Sequence, residues 1–357
     1  MNSLIAYLRL THAGWVMARE GVIASLPADG LRGPAKLAHR LAGLIARRQT
    51  QQVQRAERLS RAVERLGPSY VKLGQFLATR PDVVGKPLAQ DLSMLQDRMD
   101  TFPVSIARAR IAESIGRPVD ALYTRFENPI AAASIAQVHP AEVTDARGTH
   151  KVAVKVVRPG IRQRFRNDLE AFYIIARLSE RMIPSSRRLR PVDIAGTLEQ
   201  TTRIEMDLRL EAAALSELAE NTKDDPGFRV PLVDWERTGR DVVTMDWVDG
   251  LKISEIAALR EAGHDLVHLS EVLIQSFLRH TLRDGFFHAD MHQGNLFVDA
   301  SGCIVAVDMG IVGRLGKKER RFLAEILYGF IRRDYMRVAE VHFEAGYVPA
   351  HHDVASF

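Results

Sequence analysis

The densest chemistry in the 357-residue chain lies in eight consecutive residues, His288-Ala289-Asp290-Met291-His292-Gln293-Gly294-Asn295. Asp290 and Asn295 stand five apart, and Asp308 follows 13 residues after Asn295. Phosphoryl transfer needs a carboxylate to orient the attacking hydroxyl and oxygen ligands for a Mg²⁺ that bridges phosphates; these three residues supply that set. The rival chemistry is zinc held by His288 and His292. Four residues apart, they share a face only on a helix, whereas Gly294 favours a loop. No cysteine or Glu-x-x-His partner stands nearby.

A second group agrees with the first. Val152-Ala153-Val154-Lys155 is a β-branched run ending in a lysine. It matches the strand lysine whose ammonium contacts nucleotide phosphates and pairs with a helix glutamate in kinases. Where a glycine-rich phosphate loop would precede it stands Pro129-Ile130-Ala131-Ala132-Ala133-Ser134-Ile135-Ala136-Gln137-Val138-His139. Alanine lacks glycine's access to positive φ, so this segment is expected to be stiffer than a glycine loop, and helical.

The elements that must position these groups can be read from periodicity and punctuation. Up to about residue 105 the pattern is helical, interrupted at Pro27, Pro34, Gly67-Pro68 and Pro81, with no strand signal. A short helix follows Phe102-Pro103. Ala141-Glu142-Val143, a turn at Asp145-Ala146-Arg147-Gly148 and the run to Val157 then predict a hairpin. Helices are expected over about 161–182 and 193–221, strands over about 228–234 and 241–247, and a helix over about 265–283. A strand pair at Leu296–Val298 and Cys303–Val307 precedes a final helical stretch. There is no internal repeat.

Composition narrows the classes. The chain is 46% hydrophobic and 26% charged, ordinary for a globular protein, which excludes collagen-like and wholly disordered readings. A single cysteine, Cys303, excludes a disulfide framework and suits a reducing compartment. No stretch approaches the roughly 20 apolar residues of a spanning helix, and the start lacks the basic n-region of a signal peptide. The net charge of +5 is uneven: residues 1–66 hold 11 Lys and Arg against 4 Asp and Glu, mostly between Arg32 and Arg65. No aromatic residues interleave with these arginines, which argues against nucleic acid. Leu37, Leu41, Leu44 and Ile45 recur at helical spacing beside them. Such a segment is either a solvated helix face or one that lies on an anionic membrane surface.

Taken with Val71-Lys72-Leu73-Gly74-Gln75, Asp308-Met309-Gly310 and Glu205-Met206-Asp207, these motifs resemble the UbiB family of atypical protein-kinase-like proteins, from about residue 60 onward. Lys72, Gly74 and Gln75 match its K-x-G-Q signature, and Glu205 and Asp207 its E-x-D signature. The resemblance implies an α+β, two-lobed protein-kinase-like fold. An N-terminal helical extension (1–105), an N-lobe with a helical insertion (106–247) and a C-lobe (248–357) make it up; the family continues past Phe357, so that lobe is expected to be incomplete. It implies ATP and Mg²⁺ as cofactors. The segment Ile130 to Val138 would bind nucleotide, Lys155 would pair with Glu211, Asp290 would be catalytic, and Asn295 and Asp308 would hold metal. It further implies ATPase-type activity in ubiquinone biosynthesis, near lipid-like quinone precursors or their enzymes, at the cytoplasmic face of the bacterial inner membrane. Met309 replaces the D-F-G phenylalanine, and Gln293 stands where many relatives have proline.

Two functions from different classes fit: an enzyme hydrolysing ATP or phosphorylating a small lipid-like molecule, and a nucleotide-gated scaffold for partner enzymes. An aminoglycoside- or choline-type phosphotransferase shares the H-x-D-x-H-x-x-N loop but not K-x-G-Q. One geometric expectation follows. Glu205 and Glu211, placed on one helix at about 100° per residue, point apart and can serve different lysines. Lys72 should therefore reach Glu205 or Asp207, restricting the site to a small acceptor or water.

Overall fold

The computed structural model describes residues 2–25, 34–46, 54–95, 99–182, 184–349 and 351–354. Arg32, Arg47 and Arg48 of the basic segment lie outside the described residues. The chain divides into two compact units: 1–150, 154–207 and 240–242 form the first, and 151–153, 208–239 and 243–357 the second.

In the first unit the described elements of the extension are all helices. The helix Arg55–Leu66 buries Leu59, Ala62, Val63 and Leu66, the i, i+3, i+4, i+7 stripe of an amphipathic helix. Gly67, at φ +94, breaks it, because only glycine takes that conformation without strain. Arg164 Nη2 donates to the Leu66 carbonyl at 2.8 Å and so caps the helix end. Pro68 then starts the next helix, Pro68–Ala78, at the position where a missing N–H costs nothing. Leu59, Val63, Val71, Leu92 and Leu95 close a core between these helices and the helix Lys86–Ser93. The first helix, Asn2–Arg19, is tied to the long helix Ile161–Met182 by an ion pair between Arg9 and the buried Asp168.

The expected hairpin is present. Strand Ala136–Asp145 turns through Ala146-Arg147 into Gly148–Val157, and Arg125–Phe126 pairs antiparallel on its other side. The alanine segment is not helical. Ala131–Ala132 is a short strand paired antiparallel with Val138 and Gln137, and Ala133 N donates to Ala136 O at 2.8 Å to close the turn. None of its alanines has positive φ, so alanine can occupy this hairpin without glycine's freedom. Ladder pairing decided the outcome against alanine's helix propensity.

The single helix expected near 193–221 is two: Pro191–Glu205 and Leu208–Thr222, interrupted at Met206-Asp207. Glu205 and Glu211 therefore sit on different helices, and the angular argument that placed them on one does not apply.

The second unit is built around a four-stranded sheet in the order Phe228–Arg229, Ile304–Ala306, Leu296–Asp299, Gly250–Lys252. Leu296, Val298, Ile304, Val305 and Ala306 are all buried. Helix Leu266–Leu278 starts at Asp265, whose carboxylate accepts from Val267 N and His268 N, a side-chain N-cap. It passes through a π-helical turn at Arg279–Asp284 into strand Phe286–His288, which pairs antiparallel with Val312–Arg314.

Candidate active site

Strand Phe286–His288 delivers the loop. His288 is buried, and its Nδ1 accepts from Asp290 N at 3.1 Å, so the ring proton resides on Nε2. Burial holds the imidazole below its usual pKa despite the nearby Asp308 and Asp290 carboxylates. His288 is thus a neutral strut under Asp290. His292 sits where the chain enters a short 3₁₀ turn, Gln293–Asn295, and its Nδ1 accepts from Gly294 N at 3.0 Å. Both histidines spend Nδ1 on a backbone N–H, and they do not share a helix face. Among the described residues, no three His, Cys, Asp or Glu side chains are grouped to hold a metal.

The antiparallel pair Leu296–Asp299 and Ile304–Ala306 brings Asn295 and Asp308, distant in sequence, to one end of its ladder. Ala306 stands opposite Leu296, and Val307 N donates to Asn295 O at 3.0 Å, so Asn295 and Asp308 flank the same end of the ladder. Asn295 Nδ2 donates to Asp290 O at 3.3 Å, which orients its amide oxygen as the remaining acceptor. Asp308 Oδ1 accepts from Gly310 N at 2.8 Å, and a Cβ at Gly310 would come within 3.1 Å of that oxygen. Met309 is buried and fills the place of the expected phenylalanine with an apolar side chain. A carboxylate and an amide oxygen are the donor set Mg²⁺ accepts, with its other positions left to phosphates and water. The Asp290 side chain is about half exposed.

Lys155 lies on strand Gly148–Val157 in the first unit, and Glu211, nearly buried, in the first turn of Leu208–Thr222 in the second. Within the alanine segment, Ile130 is 62% exposed and Ala131 exposed, whereas Ser134, Ile135, Ala136 and Gln137 are buried. Its leading edge, Ile130 and Ala131, is its most exposed part, and Ala132, Ala133 and Val138 are half-buried. The resemblance makes Gln137 a nucleotide contact, yet its amide is fully engaged inside the protein: Oε1 accepts from Phe102 N at 2.9 Å, and Nε2 donates to Phe102 O at 3.1 Å. Two residues not singled out in the sequence hold the hairpin as well. Arg158 donates from Nε to Ala133 O and from its backbone N to Ile135 O, each at 2.8 Å, and His139 lies 2.9 Å from Gln137 Nε2. A glutamine and a histidine two apart in a strand share its inward face; that spacing was the available signal.

Lys72 Nζ is 2.6 Å from Glu205 Oε2, with side-chain exposures of 18% and 9%. Asp207 is turned instead toward Arg240, 4.0 Å away. Gly74 lies against Leu95 and Leu92: a Cβ there would meet Leu95 Cδ1 at 2.4 Å. Gln75 is half-buried on the same helix.

An antiparallel strand hairpin bearing a lysine and a charged loop with its ladder-end aspartate define a kinase-like fold. A solved complex of Rv3197 with erythromycin from Mycobacterium tuberculosis shares it, with a TM-score of 0.56 and 25% identity over 84% of this chain and 76% of that one. Residues 94–342 match the model of the ABC1 atypical kinase-like domain. The chain belongs to the ABC1 atypical kinase-like family. It is 39% identical over 354 residues to the probable protein kinase UbiB of Marinobacter nauticus, covering 98% of this chain and 64% of that protein. The corresponding figures are 40% over 318 residues for the same-named protein of Azotobacter vinelandii (88% and 58%) and 36% over 356 for that of Aeromonas salmonicida (98% and 65%). The chain thus spans about three fifths of the length of these relatives.

Proposed function

We propose that this protein binds ATP with Mg²⁺ and acts as an atypical kinase or ATPase in support of ubiquinone biosynthesis. The observation that carries the reading is the ladder-end arrangement of Asn295 and Asp308 beside Asp290, held by Val307 N to Asn295 O and Asn295 Nδ2 to Asp290 O. Bound there, Mg²⁺ would neutralise phosphate charge. Asp308 and Asn295 would hold it, Asp290 would orient the acceptor hydroxyl or water and take its proton, and the neutral His288 fixes the backbone of Asp290. In the first unit, the Lys155 ammonium and the leading edge of the alanine hairpin are the groups proposed for nucleotide binding.

The site of action is an anionic membrane carrying lipid-like quinone precursors or the enzymes that handle them. Leu37, Leu41, Leu44 and Ile45 are exposed on helix Pro34–Ile45 beside Arg40, and Tyr7, Leu8 and Trp15 are exposed on the first helix. Apolar side chains next to basic ones suit the interface of an anionic bilayer. No helix among the described residues is long and apolar enough to cross a membrane.

Turnover of Mg-ATP, measured with and without anionic liposomes carrying a polyprenyl-phenol, tests the reading. It expects hydrolysis or phosphate transfer that rises with both additions. No turnover and no Mg-ATP binding under any of these conditions would overturn it.

A further inference from the structure

The alanine hairpin is held from the extension by a polar network that can be solved completely. Phe102 N must find an acceptor and Phe102 O a donor, and the Gln137 amide meets both, which fixes which end is oxygen. Gln137 Nε2 has a second hydrogen, aimed at His139 Nε2, 2.9 Å away. That ring nitrogen must therefore be an unprotonated acceptor, and His139 Nδ1 donates to the Glu127 carbonyl at 2.9 Å. Gln137 and His139 are both 0% exposed, and the His139 ring stacks on Phe126. Every member has its partner, so this buried network specifies one arrangement. Alongside it, Met99 N donates to Ala132 O at 3.0 Å, in the middle of the hairpin.

From this we infer that Gln137 and His139 are positioning residues that latch the segment 99–102 to the alanine hairpin, so that the extension sets the hairpin's place and thereby its affinity for nucleotide phosphates. The inference rests on the reading of the hairpin as a phosphate loop. His139 keeps Gln137 oriented, Gln137 clamps both backbone groups of Phe102, and Met99 reaches the hairpin only while Phe102 is clamped. Arg158 secures the turn from its other side, independently of the extension.

The test compares the full chain with three variants, using amide hydrogen exchange and calorimetric titration with Mg-ATP. His139→Asn keeps a donor on the Nδ1 side and removes the acceptor that faces Gln137; His139→Gln keeps that acceptor. Gln137→Leu removes the clamp itself. In His139→Asn and Gln137→Leu, exchange at Met99, Phe102 and Ala133 should quicken about tenfold and Mg-ATP bind about fivefold more weakly, while the helix core around Val63 and Val71 exchanges as before, as expected for local rather than global opening. His139→Gln should restore both readouts. If Gln137→Leu fails to fold, the two His139 variants decide. Unchanged exchange at Met99 in His139→Asn, His139→Gln behaving like His139→Asn, or faster exchange with unaltered Mg-ATP affinity would overturn the latch. Wild-type protein that binds no Mg-ATP would overturn the phosphate-loop reading instead, and exchange at Met99 and Phe102 would still decide whether the latch exists.

Discussion

The Lys72 ammonium and the Glu205 carboxylate form a 2.6 Å ion pair between helices Pro68–Ala78 and Pro191–Glu205, both carboxylate and ammonium largely removed from solvent. A surface pair is worth little, about 0–1 kcal/mol, because water screens it. A buried one differs mainly in what happens when one partner is lost, since the other remains in a poor solvent for charge. Lys72→Met should destabilise the protein by about 2 kcal/mol in denaturant unfolding. The double exchange Lys72→Glu with Glu205→Lys should recover part of that loss. A melt of Lys72→Met indistinguishable from wild type would mean the pair contributes no stability.

Gly74 permits the close approach of its helix to Leu92 and Leu95. A Cβ would come within 2.4 Å of Leu95 Cδ1 and 3.3 Å of Leu92 Cδ2. Those atoms are the ends of leucine side chains and can shift, so Gly74→Ala should cost about 1–3 kcal/mol rather than prevent folding. Coupling it with Leu95→Ala should be less than additive, because the second change vacates the clashing volume. Strict additivity in a double-mutant cycle would show that the two positions do not touch.

His280 gives stability a pH dependence. Its ring is 0% exposed, neither nitrogen has a hydrogen-bond partner, and it meets Phe228 edge to face. Burial lowers its pKa below 6.5, outweighing Asp225, whose carboxylate lies 3.8 Å away, and Asp284, while Arg283 and Arg279 lower it further. The unfolded chain therefore binds a proton that the native state resists, and stability falls as pH drops below about 6.5. His280→Leu should flatten that limb between about pH 6.5 and 5 in thermal melts, where an unfolded histidine titrates. An equally steep limb in the variant would exonerate His280.

The surface proposed for lipid should respond to both of its components. Binding to anionic liposomes should weaken with salt, as exposed charges are screened within a Debye length of about 8 Å at physiological ionic strength. Within the described part of the basic segment, Arg55, Arg61 and Arg65 already pair with Asp91, Glu57 and Glu20, which leaves the apolar side chains of Pro34–Ile45 a larger share. Leu41→Ser with Leu44→Ser should reduce binding at low salt as well. Flotation unaffected by salt and by the double variant would favour a solvated face.

The sequence made the site loop and the hairpin legible because each is local; the Lys72–Glu205 pair joins helices far apart in the chain, and it was the matching signatures, not the one-helix spacing, that pointed to it. Asp290, Asn295 and Asp308 needed only a loop and two short strands to come to one end of a ladder, and Val152, Val154, Val156 and Val157 mark their strand with β-branched residues. The alanine segment misled because helix propensity is weak beside ladder pairing, and Ala131–Ala132 gains its partners from Gln137 and Val138 in the strand that follows. The break at Met206-Asp207 carries neither proline nor glycine, and its one local mark is Asp207, a residue type favoured just before a helix start such as Leu208. Its register is set by tertiary bonds such as that of Arg162 to the Met206 carbonyl, 44 residues away in sequence. Of the Phe102–Gln137–His139 network only the spacing of Gln137 and His139 showed in the sequence: the rest joins residues 35 apart through the backbone groups of Phe102, which any residue other than proline carries.

The claim that organises this account is that Asp308 and Asn295 hold the metal that brings nucleotide phosphates to the chain. Calorimetric titration of Asp308→Asn with ATP in excess Mg²⁺ tests it most directly, because the exchange keeps the side chain's size and removes its charge. The account predicts an affinity at least about tenfold below wild type, a loss of about 1.4 kcal/mol or more, with little change when Mg²⁺ is omitted. Wild-type affinity in the presence of Mg²⁺ would contradict it.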